Sequence, residues 1–363
     1  MSKKRHLEGA RRAITAIASC ALFVVALEGS LGALQRFSFP YLPLFVKDAA
    51  LGVALAPDAT ARVRTRGGHI TTVRTDGEGA RIVPTTSSEG PSLLVVGDSQ
   101  AMGLHVDDDE TFAALLARGG RRVRVRAVPS YGPLEYADLV DAHARPGDDV
   151  FVLFAPSNDF FEARVPNVRR TTARLGFVAR VSPGEAPSLL DDVPAIFGRS
   201  HAVYALRMLL GRAAKDAHVA DVTHLFETAG DRLATPSSGD PHASRLGPVV
   251  GRIAARCQAI GCRVSAAVLP LDVESDARAF EKVARAADRA LVLDVAARLR
   301  AGAHDDLRAA GVAVVDLTET LAFEGAFLHD DDHLSPRGHA ALARSLAGAL
   351  DARLAVFSKE EAQ

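Results

Sequence analysis

The chain has almost no excess of charge of either sign: 43 Lys and Arg stand against 44 Asp and Glu over 363 residues, a formal net charge of -1. A surface so balanced is not built to hold a polyanion, which excludes nucleic acid from the partner classes. Cysteine is scarce, with three residues in all. Cys20 stands alone, and Cys257 and Cys262 lack the ligand spacing of a zinc site. No internal repeat or low-complexity tract is present. What remains is ordinary globular composition, 48% hydrophobic and 24% charged, at a length that suits one open α/β core carrying insertions.

Charge is also missing locally. From Ala13 to Leu27 no charged residue occurs, and Lys3, Lys4, Arg5, Arg11 and Arg12 precede the run, the pattern of a positive-inside export signal. The run breaks at Glu28 and Gly29 and resumes weakly to Leu34, long for a signal peptide and short for a spanning helix. Residues 1–34 read first as an uncleaved signal-anchor, with cleavage near Ser30 to Ala33 as the alternative. Either way the body is expected outside the cytoplasmic membrane, on the periplasmic side, and an uncleaved segment makes the chain single-pass. In that oxidising compartment Cys257 and Cys262, which flank the helix-stopping Gly261, are a candidate disulfide. Cys20 reads as a small apolar residue of the membrane helix.

Residues 35–90 hold early prolines, a Gly-Gly pair and short alternating runs such as "HITTVRT", and read as a stalk followed by a small β-hairpin arm. From residue 91 to about 357 strands alternate with amphipathic helices, the texture of a parallel sheet covered by helices. Strands are expected at 92–97, 122–128, 149–155, 262–269 and 311–316. The third is continuously apolar, whereas "RVRVRAV" in the second alternates arginine with valine and marks a sheet edge. A first strand inside and a second at the edge fit the order 2-1-3-4-5 of a flavodoxin-like three-layer sandwich, with its ligand crevice near strands one and three. Residues 161–245 interrupt the alternation and read as an insertion covering that crevice.

The first strand ends in "LLVVGDSQAMG", which places Ser99 where a nucleophile would sit; a plain N-cap needs the same residue type. Near the other end, Ser335 and Pro336 open a final helix and leave His333 in the loop before it. Asp330, three residues earlier, is near enough to hold the imidazole Nδ1 and leave Nε2 for a serine. Donors for an oxyanion are available from the Ser99 N–H, the Gly132 N–H in "PSYGP" and the Asn158 amide in "APSND". Gly132 and Asn158 also have local readings, as a turn and a backbone cap.

Together Gly97-Asp98-Ser99, Gly132, Asn158-Asp159 and the pair Asp330 and His333, in this order, resemble the four blocks of the SGNH or GDSL-like hydrolase family. The resemblance implies Ser99 as nucleophile, His333 as base, Asp330 as its orienting partner, and Ser99, Gly132 and Asn158 as the oxyanion hole. It implies no cofactor. Two positions depart from the pattern: Pro156 stands where the third block has glycine, and Gln100 stands at the place of the eponymous leucine. "HDDDH", His329 to His333, offers metal-type donors, but consecutive loop residues seldom converge on one ion, so no metal site is assigned. "VDDDE", Val106 to Glu110, reads as an acidic helix start. His339 reads as packing, and Asp331 and Asp332 as solvated loop charges.

The expected function is an exported, membrane-tethered serine ester hydrolase working through a Ser-His-Asp triad and an acyl-enzyme, on a small-molecule or glycan ester. The alternatives are an O-acyltransferase or deacetylase on cell-envelope glycans, and a non-catalytic envelope binding protein on the same scaffold. Nothing in the sequence sets the oligomeric state.

Overall fold

The computed structural model describes residues 2–34, 42–65, 69–84, 92–156, 159, 165–181, 200–210, 246–276, 289–328 and 332–360. Helix α1, Ser2–Leu34, opens the chain, and its Arg11–Leu34 stretch, mean hydropathy 2.0, is long and apolar enough to cross a membrane. Two hairpins follow. Strands β1 (Phe45–Asp48) and β2 (Gly52–Leu55) form the first, within the segment read as a stalk. Strands β3 (Thr60–Arg64) and β4 (Ile70–Arg74) form the expected arm.

The core is a five-stranded, all-parallel sheet of β5 (Ser92–Gly97), β6 (Arg122–Ala127), β7 (Asp149–Phe154), β10 (Arg263–Val268) and β11 (Ala313–Val314), in the order β11-β10-β7-β5-β6. Numbered among themselves, the five strands run 5-4-3-1-2, the expected order read from the other edge. Polarity decides it: Leu93 to Val96 are each no more than 2% exposed, and burying such side chains is worth about 1.5–3 kcal/mol apiece, so β5 belongs inside. The arginine face of edge strand β6 is less wet than its alternation implies. Arg124 pairs with Asp148, and Arg126 pairs with Glu78 from the arm. The arm reaches this edge through Glu78.

Helices α2 (Ser99–Met102), α3 (Phe112–Arg118) and α4 (Pro133–His143) lie among the first three core strands in the chain. Of the insertion, the antiparallel strands β8 (Thr171–Arg174) and β9 (Phe177–Arg180) pack on the first hairpin, where the Phe45 N–H donates to the Gly176 carbonyl at 2.9 Å. Helix α5 (His201–Leu210) meets α1: the Glu28 carboxylate accepts from the Ser200 hydroxyl (2.8 Å) and from the amides of His201 and Ala202, which caps the helix start. Helix α6 (Gly247–Ile260) ends at Gly261, φ 74°, where the left-handed turn returns the chain to β10. Cys257 and Cys262 are joined across that turn, Cα to Cα 4.6 Å. Helices α7 (Asp272–Ser275), α8 (Arg289–Ala309) and α9 (Pro336–Glu360) complete the description.

Candidate active site

Strand β5 delivers Ser99 to the first position of α2. Gly97 must be glycine here: a Cβ would lie 2.5 Å from the Ala101 Cβ and 2.9 Å from the Leu153 carbonyl oxygen, so α2 sits directly on the strand end. Asp98 caps the turn, its Oδ1 accepting from the Gln100 N–H at 2.8 Å. Ser99 is 7% exposed and opens the helical turn, so its N–H has no intrahelical acceptor.

The loop before α9 brings His333 across the carboxyl end of the sheet. Its Nε2 lies 2.8 Å from the Ser99 Oγ, a hydrogen-bonding distance between residues 234 apart in sequence. With Nδ1 protonated, Nε2 is an acceptor for the hydroxyl proton. The Asp332 Oδ1 lies 3.4 Å from Nδ1, and the Asp332 side chain is 22% exposed, so this residue is an electrostatic neighbour of the imidazole and not the solvated charge expected. Asp330 and Asp331 lie outside the described residues.

The expectation that the Gly132 N–H faces an oxyanion is not met. That N–H donates to the Glu135 Oε2 at 3.0 Å, closing one arm of a capping box at the head of α4. The Gly-x-x-Glu spacing carried this signal in the sequence. Glu135 is 2% exposed, and its Oε1 also accepts from the Asn167 N–H at 2.6 Å. Burial pushes its carboxyl above the ordinary range against the lowering effect of the two amides. Asn158 lies outside the described residues. Asp159 is fully buried and accepts from the Tyr136 hydroxyl (2.9 Å) and the Ala155 N–H (2.7 Å).

Three further groups were hidden from sequence reasoning. His105, at a strained φ of 72°, packs edge-on against His333 with ring centroids 5.2 Å apart. The loop carrying it is held by Arg81 of the arm, whose guanidinium donates to the carbonyls of Met102, Gly103 and Val106. Asp108, read as part of an acidic helix start, is instead buried and pairs with Arg81 (3.1 Å) and Arg74 (2.6 Å). The helix start belongs to Thr111, whose side chain caps α3. His339 is packing, as expected. It stacks on Phe112, its Nδ1 accepts the Phe112 N–H, and burial pulls its pKa down to about 3, which keeps the ring neutral. His69, Asp107 and Glu110 also come together, but Asp107 and Glu110 already accept from the backbone amides of Thr72 and Asp107.

Residues 225–363, which contain His333 but not Ser99, match the family model described as SGNH hydrolase-like domain, acetyltransferase AlgX. No curated protein matches the chain. Among solved structures, it is similar to phospholipase A1 from Streptomyces albidoflavus, with 12% identity, 72% of this chain and 99% of that chain covered, and a TM-score of 0.42. An extracellular lipase from Streptomyces rimosus matches with 12% identity, 72% and 100% coverage and a TM-score of 0.40. A psychrotrophic esterase from Pseudoalteromonas sp. matches with 6% identity, 73% and 99% coverage and a TM-score of 0.38. Likenesses at this level carry no argument about chemistry.

Proposed function

We propose that the chain, whose residues 225–363 match an SGNH hydrolase-like domain, is a membrane-tethered serine enzyme of acyl transfer, acting first as an ester hydrolase. The 2.8 Å approach of His333 Nε2 to the Ser99 Oγ carries the reading. His333 takes the hydroxyl proton as the Ser99 oxygen bonds to the ester carbonyl carbon. The tetrahedral oxyanion collapses, the C–O bond to the alcohol breaks, and the alcohol leaves with the proton from His333. Water then attacks the acyl-enzyme and gives a proton to His333, which passes it to the Ser99 oxygen as the acyl C–O bond breaks, releasing the acid and free Ser99. The oxyanion donors of this reading are the Ser99 N–H and, by resemblance, the Asn158 amide; Gly132 keeps its N–H on Glu135. Asp330, by resemblance, orients the imidazole.

A second reading replaces water by a sugar hydroxyl of a cell-envelope glycan, which makes the enzyme an O-acyltransferase. The match of residues 225–363 to an acetyltransferase-type domain favours it. The chemistry up to the acyl-enzyme is common to both. We further propose that α1 stays attached and holds the domain at the outer face of the cytoplasmic membrane. Its Glu28 caps α5 from inside the apolar helix, and a cut near Ser30 to Ala33 would remove that cap.

A fluorophosphonate probe should label the full chain in detergent and fail to label Ser99→Ala. Labelling of Ser99→Ala at the wild-type rate overturns the assignment. Acyl release to water or to a glycan acceptor, measured with an acetyl ester donor, separates the two readings. Alkaline phosphatase fused after Gln363 should be active in cells and stay in the membrane fraction; an inactive fusion refutes export, and a released one refutes the anchor.

A further inference from the structure

Resting on the reading that Ser99 and His333 react together, we propose that Gln100 is a positioning residue that sets the distance between them. Its side-chain amide grips the backbone on both sides of His333. Nε2 donates to the Asp332 carbonyl at 2.7 Å, and Oε1 accepts from the Leu334 N–H at 3.1 Å. A primary amide carries a donor and an acceptor side by side, and it meets here a carbonyl before the histidine and an N–H after it. Gln100 is 4% exposed; its bond to the Leu334 N–H is buried, and its bond to the Asp332 carbonyl is partly so.

The grip matters because of where Gln100 stands. It is covalently next to Ser99, and its own N–H is tied to the Asp98 carboxylate. The histidine loop is pinned from the other side as well: Leu328 donates to the His333 carbonyl (2.8 Å) and Ser335 to the Ala326 carbonyl (2.9 Å). With Gln100 in place, the nucleophile and the base are linked through one side chain instead of through the length of the sheet. Leucine at this position would fill the space and leave the Asp332 carbonyl and Leu334 N–H without these partners. The departure from the leucine-containing pattern thus has a task in this chain.

The test compares Gln100→Met, which keeps length and volume without polarity, with wild type in the full detergent-solubilised chain. Active sites are counted by fluorophosphonate end-point labelling, so that misfolded protein drops out of the rates. Per active site, kcat for a p-nitrophenyl ester should fall about 10²-fold, the scale of a catalytic group misplaced by about 1 Å, with KM moving less than about threefold. The rate of labelling should fall in parallel, because it needs the same His333 geometry, and its rise with pH should flatten. Gln100→Glu is the second variant. It keeps an acceptor for Leu334 but sets a carboxylate oxygen against the Asp332 carbonyl, and it should also lose kcat with KM held. A folded Gln100→Met or Gln100→Glu with kcat and labelling rate per site within about twofold of wild type overturns the proposal. Ser99→Ala keeps the two ideas apart: if that variant turns over ester normally, the function reading itself has failed.

Discussion

Asp108→Asn removes a charge and almost no volume, and the structure makes its cost calculable. Asp108 is the carboxylate facing the Arg81 guanidinium, Nε to Oδ1 3.1 Å, with side chains 4% and 1% exposed. Burial pulls the Arg81 pKa down, and the attraction of Asp108 is the largest influence against it. Removing the nearest carboxylate from the buried Arg81 costs about 3 kcal/mol, the low end for breaking a buried pair, because Asp107 and Glu110 still act on it. The half-exposed Arg74 adds no more than about 1 kcal/mol. For a domain of this size each kcal/mol moves Tm by about 2–4 °C, so the variant should melt at least about 6 °C lower. Arg81→Met should cost at least as much, because the carbonyls of Met102, Gly103 and Val106 lose their donor too. The double variant should then lie close to Arg81→Met alone, since the two residues act as one clamp. Both singles should lower kcat, because the clamp holds the loop whose His105 ring packs on His333. Urea unfolding followed by circular dichroism measures the cost. A loss under about 1 kcal/mol for Asp108→Asn, or additive costs in the double variant, would refute the clamp.

Three other predictions follow from the same geometry. The His339 ring is neutral in the folded chain and protonated in the unfolded chain below about pH 6.5, so the unfolded state gains the proton and stability falls as pH drops toward 3. Each pH unit in that window should cost about 1.4 kcal/mol, and His339→Gln should flatten the slope; parallel stability curves for the two proteins contradict this. Asp330→Asn should lower kcat by about 10⁴-fold, the scale of losing an orienting carboxylate, against about tenfold for Asp332→Asn. The reverse ranking makes Asp332, 3.4 Å from Nδ1, the orienting group. Reducing the Cys257–Cys262 bond, which closes a short loop, should lower stability by about 2 kcal/mol in denaturant unfolding with and without dithiothreitol, and an unchanged midpoint denies it a stabilising role.

The amino-acid order alone determined the features that local physics writes into a few neighbouring residues. A run of four apolar residues required a buried strand, alternating arginines required an edge, and together they set the 2-1-3-4-5 sheet before any contact was known. Strand-end Ser99 and the Ser335-Pro336 helix start were legible for the same reason: strand ends and caps have short-range signatures. Even the loss of Gly132 as a free donor was written locally, in the glutamate three residues on. Only the tertiary structure decided which loops the parallel sheet gathers at its carboxyl ends. Arg81 reaches Asp108 across 27 residues, and Gln100 reaches the His333 loop across 232, separations at which no periodicity or spacing relates two side chains. A buried charge or amide finds its partner by whatever the fold brings within hydrogen-bond distance. For that reason the sheet could be read along the chain, while the clamp on the nucleophile loop and the grip on the histidine had to be seen across it.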